Sequence, residues 1–223
     1  MKRFMMQMMR TMVTVIVVGT MAMMIFSLRG ELAEAKAKAA AAKPGEPGLF
    51  TTISTRTSIR KFDPSKPVSD ADIEKILKAG MCAPSAMDRR PWEFIVVKDK
   101  AKLAALGSRL PNSRVGNGAQ AAIDVCGNLD NGLPGRGKEY WIHDCSAAAM
   151  NILLAAKGLG LGAVWTGVYP GEERIAIVRE VLAIPEGYAP LNVIPLGVPA
   201  ENPTPKDKWD ASKPGSSSRT CTR

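Results

Sequence analysis

Between residues 70 and 197 the chain alternates helical periodicity with short, almost wholly apolar runs. The runs are Phe94-Ile95-Val96-Val97, Ala121–Gly127 (AAIDVCG), Ala163-Val164-Trp165 and Leu191–Leu196. Runs of four to eight such residues between breakers read as buried strands. Between them lie helical patterns. Leu49–Thr57 reads as a short helix. Ser69 is an N-cap with Asp72 three residues on, an acidic variant of the capping box. Its helix puts Ile73, Ile76, Leu77 and Gly80 on one face. Asp99–Arg109, Lys138–Gly158 and Glu172–Ala183 complete the set, and Ser146, Ala147, Ala148 and Ala149 allow the longest of these helices to pack closely. Strands buried on both sides need helices above and below. The expected fold is therefore a three-layer α/β or α+β domain of about 165 residues.

Charge separates this body from the two ends. The net charge is +9 over 223 residues. Residues 1–43 hold seven Lys/Arg and two Glu, and residues 206–223 hold five Lys/Arg and two Asp. The stretch 44–205 carries 18 basic and 17 acidic residues, so the body is close to neutral. A nucleic-acid binder needs a basic face on its folded domain, and this distribution argues against one.

Nine of the twelve methionines fall in the first 24 residues. Lys2, Arg3 and Arg10 precede an uncharged run from Met12 to Ser27. That run is longer than most signal-peptide cores and short for a membrane span. It reads as a secretory signal or an N-terminal anchor within residues 1–29, with residues 11–28 the part that would meet a membrane. The near-equal flanking charges do not orient it. An Ala/Lys-rich linker follows over 30–48 and ends in the breaker cluster Pro44-Gly45-Glu46-Pro47-Gly48. The folded domain is expected over 49–209 and a disordered Ser/Arg-rich tail over 210–223. The expected location is the cell envelope, either exported or anchored. In the anchored case the domain could face the cytoplasm.

Cys82, Cys126, Cys145 and Cys221 show no metal-ligand spacing. The first three lie in apolar surroundings and read as small buried hydrophobes. The only histidine, His143, sits mid-helix without a Ser-His-Asp or metal arrangement around it. Gly158-Leu159-Gly160-Leu161-Gly162 follows a helix and precedes a strand, the wrong order for a dinucleotide fingerprint. A chain so poor in catalytic side chains is best suited to chemistry carried by a cofactor, and no catalytic side chain or metal site is assigned.

Four segments stand out. Arg56-Thr57-Ser58-Ile59-Arg60 sets two guanidiniums beside two hydroxyls, a combination suited to phosphate. A solvated basic turn is the plain alternative. Pro84-Ser85-Ala86-Met87-Asp88-Arg89-Arg90-Pro91-Trp92 is a loop fixed by two prolines ahead of a buried strand. Trp165-Thr166-Gly167 closes the third strand with a glycine that lets backbone approach a ligand. Lys206 and Lys208 form a basic pair after Pro203 and Pro205.

Taken in order, these segments resemble the FMN-dependent nitroreductase family from about Phe50 to Trp209. Arg56–Arg60 is similar to the family's R-x-S-x-R element, which holds the FMN phosphate and ribityl chain. Pro84–Trp92 resembles P-S-x-x-N-x-Q-P-W, which packs on the flavin ring. Asp144–Gly167 resembles the dimer helix and the strand whose end lies near flavin N5. Lys206 and Lys208 stand where the family closes basic residues on the phosphate. The resemblance implies FMN as cofactor, bound by Arg56, Thr57, Ser58, Arg60, Pro84, Ser85, Ala86, Asp88, Trp165, Thr166, Gly167, Lys206 and Lys208. It implies a homodimer and ping-pong reduction of nitroaromatics, quinones or similar acceptors with NAD(P)H. A flavin dehydrogenase or dehalogenase of the same fold, and a non-catalytic flavin-binding envelope protein, stay open as alternatives. Two positions depart from the pattern: Asp88 replaces Asn and Arg90 replaces Gln. A carboxylate at Asp88 would oppose the anionic reduced flavin and lower its potential, unless Arg90 compensates. An exported enzyme would also need a donor other than cytoplasmic NAD(P)H.

Overall fold

The structure is a computed structural model that describes residues 48–210 together with 21, 23, 24, 27, 29, 30 and 212. The chain divides into two units, Met1–Glu46 and Pro47–Arg223. In the first, the described residues are helical. Most of the uncharged run, the linker, the tail and Cys221 lie outside the described residues. Among the described residues no helix is long and apolar enough to cross a membrane.

In the second unit, α1 spans Leu49–Thr55, α2 Asp70–Met81, β1 Trp92–Val97, α3 Lys100–Arg109 and β2 Ala121–Asn128. They are followed by α4 over Tyr140–Gly158, β3 over Gly162–Ala163, β4 over Thr166–Gly167, α5 over Glu172–Leu182 and β5 over Tyr188–Gly197. Two caps fix helix starts. Ser69 Oγ accepts from the Asp72 amide at 3.1 Å, and Asp99 Oδ1 accepts from that of Lys102 at 2.8 Å.

The sheet runs in the order β1-β2-β5-β3, with β4 also on β5, and every pairing is antiparallel. The α+β form of the expected fold is the one realised. Helices cover both faces. On one, Ile73 and Ile76 of α2 and Cys145, Ala148, Ala149 and Ile152 of α4 pack on Ile123, Val125 and Ile194. On the other, Leu103 and Leu106 of α3 and Val178 and Leu182 of α5 pack on Ala122, Cys126 and Val193. This double cover explains why β2 and β5 read as continuous apolar runs although the sheet is antiparallel. One close approach depends on glycine. A Cβ on Gly127 would lie 2.2 Å from Trp141 Cε3, so the α4 indole sits directly on the backbone of β2.

Three expectations are corrected. The run Phe94–Val97 is a strand but not a buried one: only Val97 of it is buried and Val96 is 37% exposed, because β1 is at the edge of the sheet. The third strand is not continuous. β3 pairs with Leu196 and Gly197, β4 pairs with Asn192 and Val193, and Val164-Trp165 bridges the gap unpaired. Both pieces lean on the same long β5, which starts three residues earlier than its apolar core suggests. Cys82 is exposed, because it caps the end of α2 beyond the buried stripe. Cys126 and Cys145 are buried as expected.

Candidate functional site

The first part of the site is made where α1 stops. The Arg56 amide still donates to Thr52 O at 3.0 Å, but Arg56 has extended backbone angles. The chain then runs extended past the sheet edge. The Ile59 amide donates to Ala163 O at 3.1 Å, and Phe62 bridges to Pro199. Ile59 and Phe62 are buried, while Arg56, Thr57, Ser58 and Arg60 stay accessible. Two apolar anchors therefore set a polar row in place.

Across from that row lies the C-terminal arm. Arg56, Thr57, Ser58, Arg60, Pro203, Thr204, Pro205, Lys206, Asp207 and Lys208 line one cavity of about 700 Å³, with Ile53, Ser54 and Met150 completing its wall. Residues 56–60 and 206–208 are about 150 positions apart in sequence, and the fold brings them to one cavity. None of Arg56, Arg60, Lys206 and Lys208 forms an ion pair among the described residues. The Arg60 guanidinium has one internal partner, donating from Nη1 to Ser58 O at 3.3 Å. The one carboxylate in the lining, Asp207, accepts from the Trp209 amide at 2.9 Å. Four cations and two hydroxyls against one carboxylate give this cavity a net positive lining, suited to a small multiply charged anion.

The second part is the loop before β1. A short 3₁₀ turn covers Ala86–Asp88, and Met87, Asp88 and Arg90 have φ of 52°, 53° and 49°. Non-glycine residues in the left-handed region persist only where surrounding bonds hold them. Here the Arg90 amide donates to Ser85 Oγ at 2.9 Å, and Asn131 Nδ2 donates to Arg89 O at 2.8 Å. The Ala86 amide donates to the carboxylate of Asp144, buried on α4, at 2.9 Å. Pro84 precedes this turn and is exposed. Asp88 and Arg90 form a two-pronged pair, Nε to Oδ1 at 2.7 Å and Nη2 to Oδ2 at 2.6 Å. That hydrogen bonding holds the Asp88 carboxyl below its ordinary range, so it is ionised but its charge is matched.

This loop does not line the basic cavity. Helix α4 connects the two: Asp144 holds the loop, and Met150 reaches the cavity six residues later, about 9 Å along the axis.

The third part is the end of the split strand. Trp165 is 37% exposed, and Gly167 is open, with only Trp165 Nε1 within 4 Å of where a Cβ would stand. Thr166 is buried and its hydroxyl donates to Ser113 O at 2.9 Å. What this position offers outward is therefore main chain. Arg174 of α5 donates from Nε to Gly167 O at 2.7 Å. Asp144, Asn131 and Arg174 escaped the sequence reading: the first two act on backbone 58 and 42 positions away, and Arg174 reaches back seven positions from a helix to a strand end.

One ionisable group lies away from all of this. Asp124 of β2 is fully buried; its Oδ2 accepts from the Cys126 thiol at 2.7 Å, and Oδ1 has no partner among the described residues. Burial pushes its pKa up to about 7. Cys145 is likewise pushed up to about 12 by burial, and Cys126 is raised for the same reason. These thiols are inert at neutral pH.

Comparison with known proteins matches this architecture. The Nitroreductase family model matches residues 53–123 and 108–198. A protein of Methanothermobacter thermautotrophicus, provisionally named NADH dehydrogenase/NAD(P)H nitroreductase, is 47% identical over 167 residues, 74% of this chain and 84% of its own. A crystal structure from Parabacteroides distasonis with the same provisional name superposes with a TM-score of 0.71 at 44% identity, covering 77% of this chain and 99% of its own. An FMN-dependent nitroreductase from Clostridium difficile superposes with a TM-score of 0.68 at 31% identity, covering 75% and 98%. With its sheet, its loop and its basic cavity in this arrangement, the chain belongs to the nitroreductase family.

Proposed function

We propose that this protein is an FMN-dependent oxidoreductase that takes electrons from NAD(P)H and passes them to a nitroaromatic, quinone or similar acceptor. The observation that carries the reading is the cavity in which four cations, without an ion pair among the described residues, and the Thr57 and Ser58 hydroxyls outnumber the one lining carboxylate, Asp207. A phosphate dianion fits that donor set. Bound FMN supplies the hydride chemistry that none of these side chains offers.

The residues divide the remaining work. Arg56, Ser58, Arg60, Lys206 and Lys208 bind the phosphate, and Thr57 adds a hydroxyl. Pro84, Ser85, Ala86 and Asp88 form the ring side, kept in shape by Asp144. At the strand end, Gly167 leaves room for a flat ring and Trp165 borders it. Thr166 ties the strand end to Ser113, keeping Gly167 in register.

A homodimer is part of the reading. Leu49, Phe50 and Ile53 of α1 are 66%, 85% and 48% exposed, and Met150 of α4 is 39% exposed. An apolar surface of this kind beside a ligand cavity suits burial against a second copy. An envelope location, exported or anchored through residues 11–28, completes the proposal and rests on the uncharged run behind Lys2, Arg3 and Arg10.

The test is direct. Purified protein is expected to be yellow and dimeric, to bleach with NADH and to regain colour with a nitroaromatic. A colourless protein that takes up no added FMN would refute the function. Fractionation of cells expressing a tagged chain checks the location; recovery in the soluble cytoplasm sinks that part alone.

A further inference from the structure

The C-terminal arm reaches the cavity with little to hold it. Residues 201–210 form no regular secondary structure. From residue 202 to Lys208, no hydrogen bond among the described residues ties the arm to the body. The last ties come just before. The Ala200 amide donates to Lys61 O at 3.0 Å, and the Glu201 carboxylate accepts from two successive amides of the facing segment. Its Oε1 takes a close bond from the Arg60 amide and one of 3.2 Å from that of Lys61. The other side of that segment is fixed too, since Asn117 Nδ2 donates to Arg60 O at 2.9 Å.

Glu201 thus behaves unlike a surface acid near basic residues. It has no cation partner among the described residues, although Arg60 itself is one of its two amide donors. Its charge is spent on backbone N–H groups, which are strong partners for a carboxylate. Beyond it, Pro203 and Pro205 restrict the backbone, so the arm is a semi-rigid spacer and not a free tether. The direction set at Glu201 is therefore passed on to Lys206 and Lys208.

We propose that Glu201 is a positioning residue for anion binding. Its carboxylate clamps the Arg60–Lys61 backbone to the root of the arm, and so holds both cationic walls of the cavity at the spacing of one phosphate. This rests on the reading of the cavity as the FMN phosphate site.

The full-length protein, freed of flavin, is titrated with FMN and with riboflavin, which has the same ring and no phosphate. Wild type is expected to prefer FMN. In Glu201→Ala that preference falls about tenfold, through weaker FMN binding, while riboflavin affinity is unchanged. Glu201→Gln keeps an acceptor oxygen at the same place and is expected to restore most of the preference. A loss of general stability would weaken both ligands together and is read separately by urea unfolding. Wild-type preference retained in Glu201→Ala, or equal loss for both ligands, overturns the clamp. A wild type that binds FMN and riboflavin equally overturns the phosphate reading itself, and the clamp with it.

Discussion

The basic cavity and the middle of the sheet both hold ionisable groups without an ion-pair partner among the described residues. In the cavity, Arg56, Arg60, Lys206 and Lys208 stand unpaired but open to solvent. In the sheet, Asp124 is sealed off, and the Cys126 thiol is its only partner among the described residues. Water keeps the cavity cations charged until an anion replaces it. Nothing can replace water around Asp124, so the acid holds its proton up to about pH 7. Uncompensated charge is thus a binding feature where a ligand can enter and a cost to folding where none can.

The strongest way to break this contrast is to empty the cavity of charge. Arg60→Ala combined with Lys208→Ala is expected to weaken FMN binding on the order of a thousandfold, by removing two charged hydrogen-bond donors. Riboflavin binding should change little. Equal losses for the two flavins would show that the cations serve the fold and not the ligand.

The sheet should respond in stability and not in binding. The folded-state pKa of Asp124 is raised above its unfolded value, so the folded form keeps a proton that the unfolded form has lost. Stability should fall as pH rises from about 4 to about 7 and then level off. The full loss is of order 4 kcal/mol, taking about 1.4 kcal/mol per pH unit. Urea unfolding of wild type and Asp124→Asn across that range checks it. The variant should lose this slope, and a slope that survives in it would assign the effect to another group.

The smallest effect is expected where charge is matched on the surface. Freeing the Asp88 carboxylate by Arg90→Gln should leave unfolding unmoved, as exposed pairs add little to stability. It should lower the flavin midpoint potential by tens of millivolts, an order set by a nearby unscreened charge. Asp88→Asn should shift it less, since Asp88 is already neutralised by Arg90. A potential that stays put in Arg90→Gln would remove Asp88 from the ring side of the site.

Much of this was legible in the sequence, for local reasons. β2 and the core of β5 announce themselves because helices bury both faces, and β1 because its run is apolar although the strand is only partly covered. The row at 56–60 and the pair at 206 and 208 are dense in one chemistry. What escaped depends on distance along the chain. Glu201 and Arg60 are separated by 141 positions, and Asp144 and Ala86 by 58. No local pattern marks an acid whose partner is a remote amide. The break between β3 and β4 was hidden because Val164 is as apolar as a paired strand residue. Cys82 misled because its neighbours in sequence are apolar while its place at a helix end is not buried. Asp124 was visible as an acid inside an apolar run, but its isolation is a property of the packed sheet.

The place of the arm also sets a schedule. Every strand of the sheet is complete by Gly197, yet the last wall of the cavity is built from residues 203–208. In chain order the proposed phosphate grip thus comes last, and the core is specified without it, so substitutions within residues 203–208 are expected to alter what the cavity holds while leaving the sheet intact.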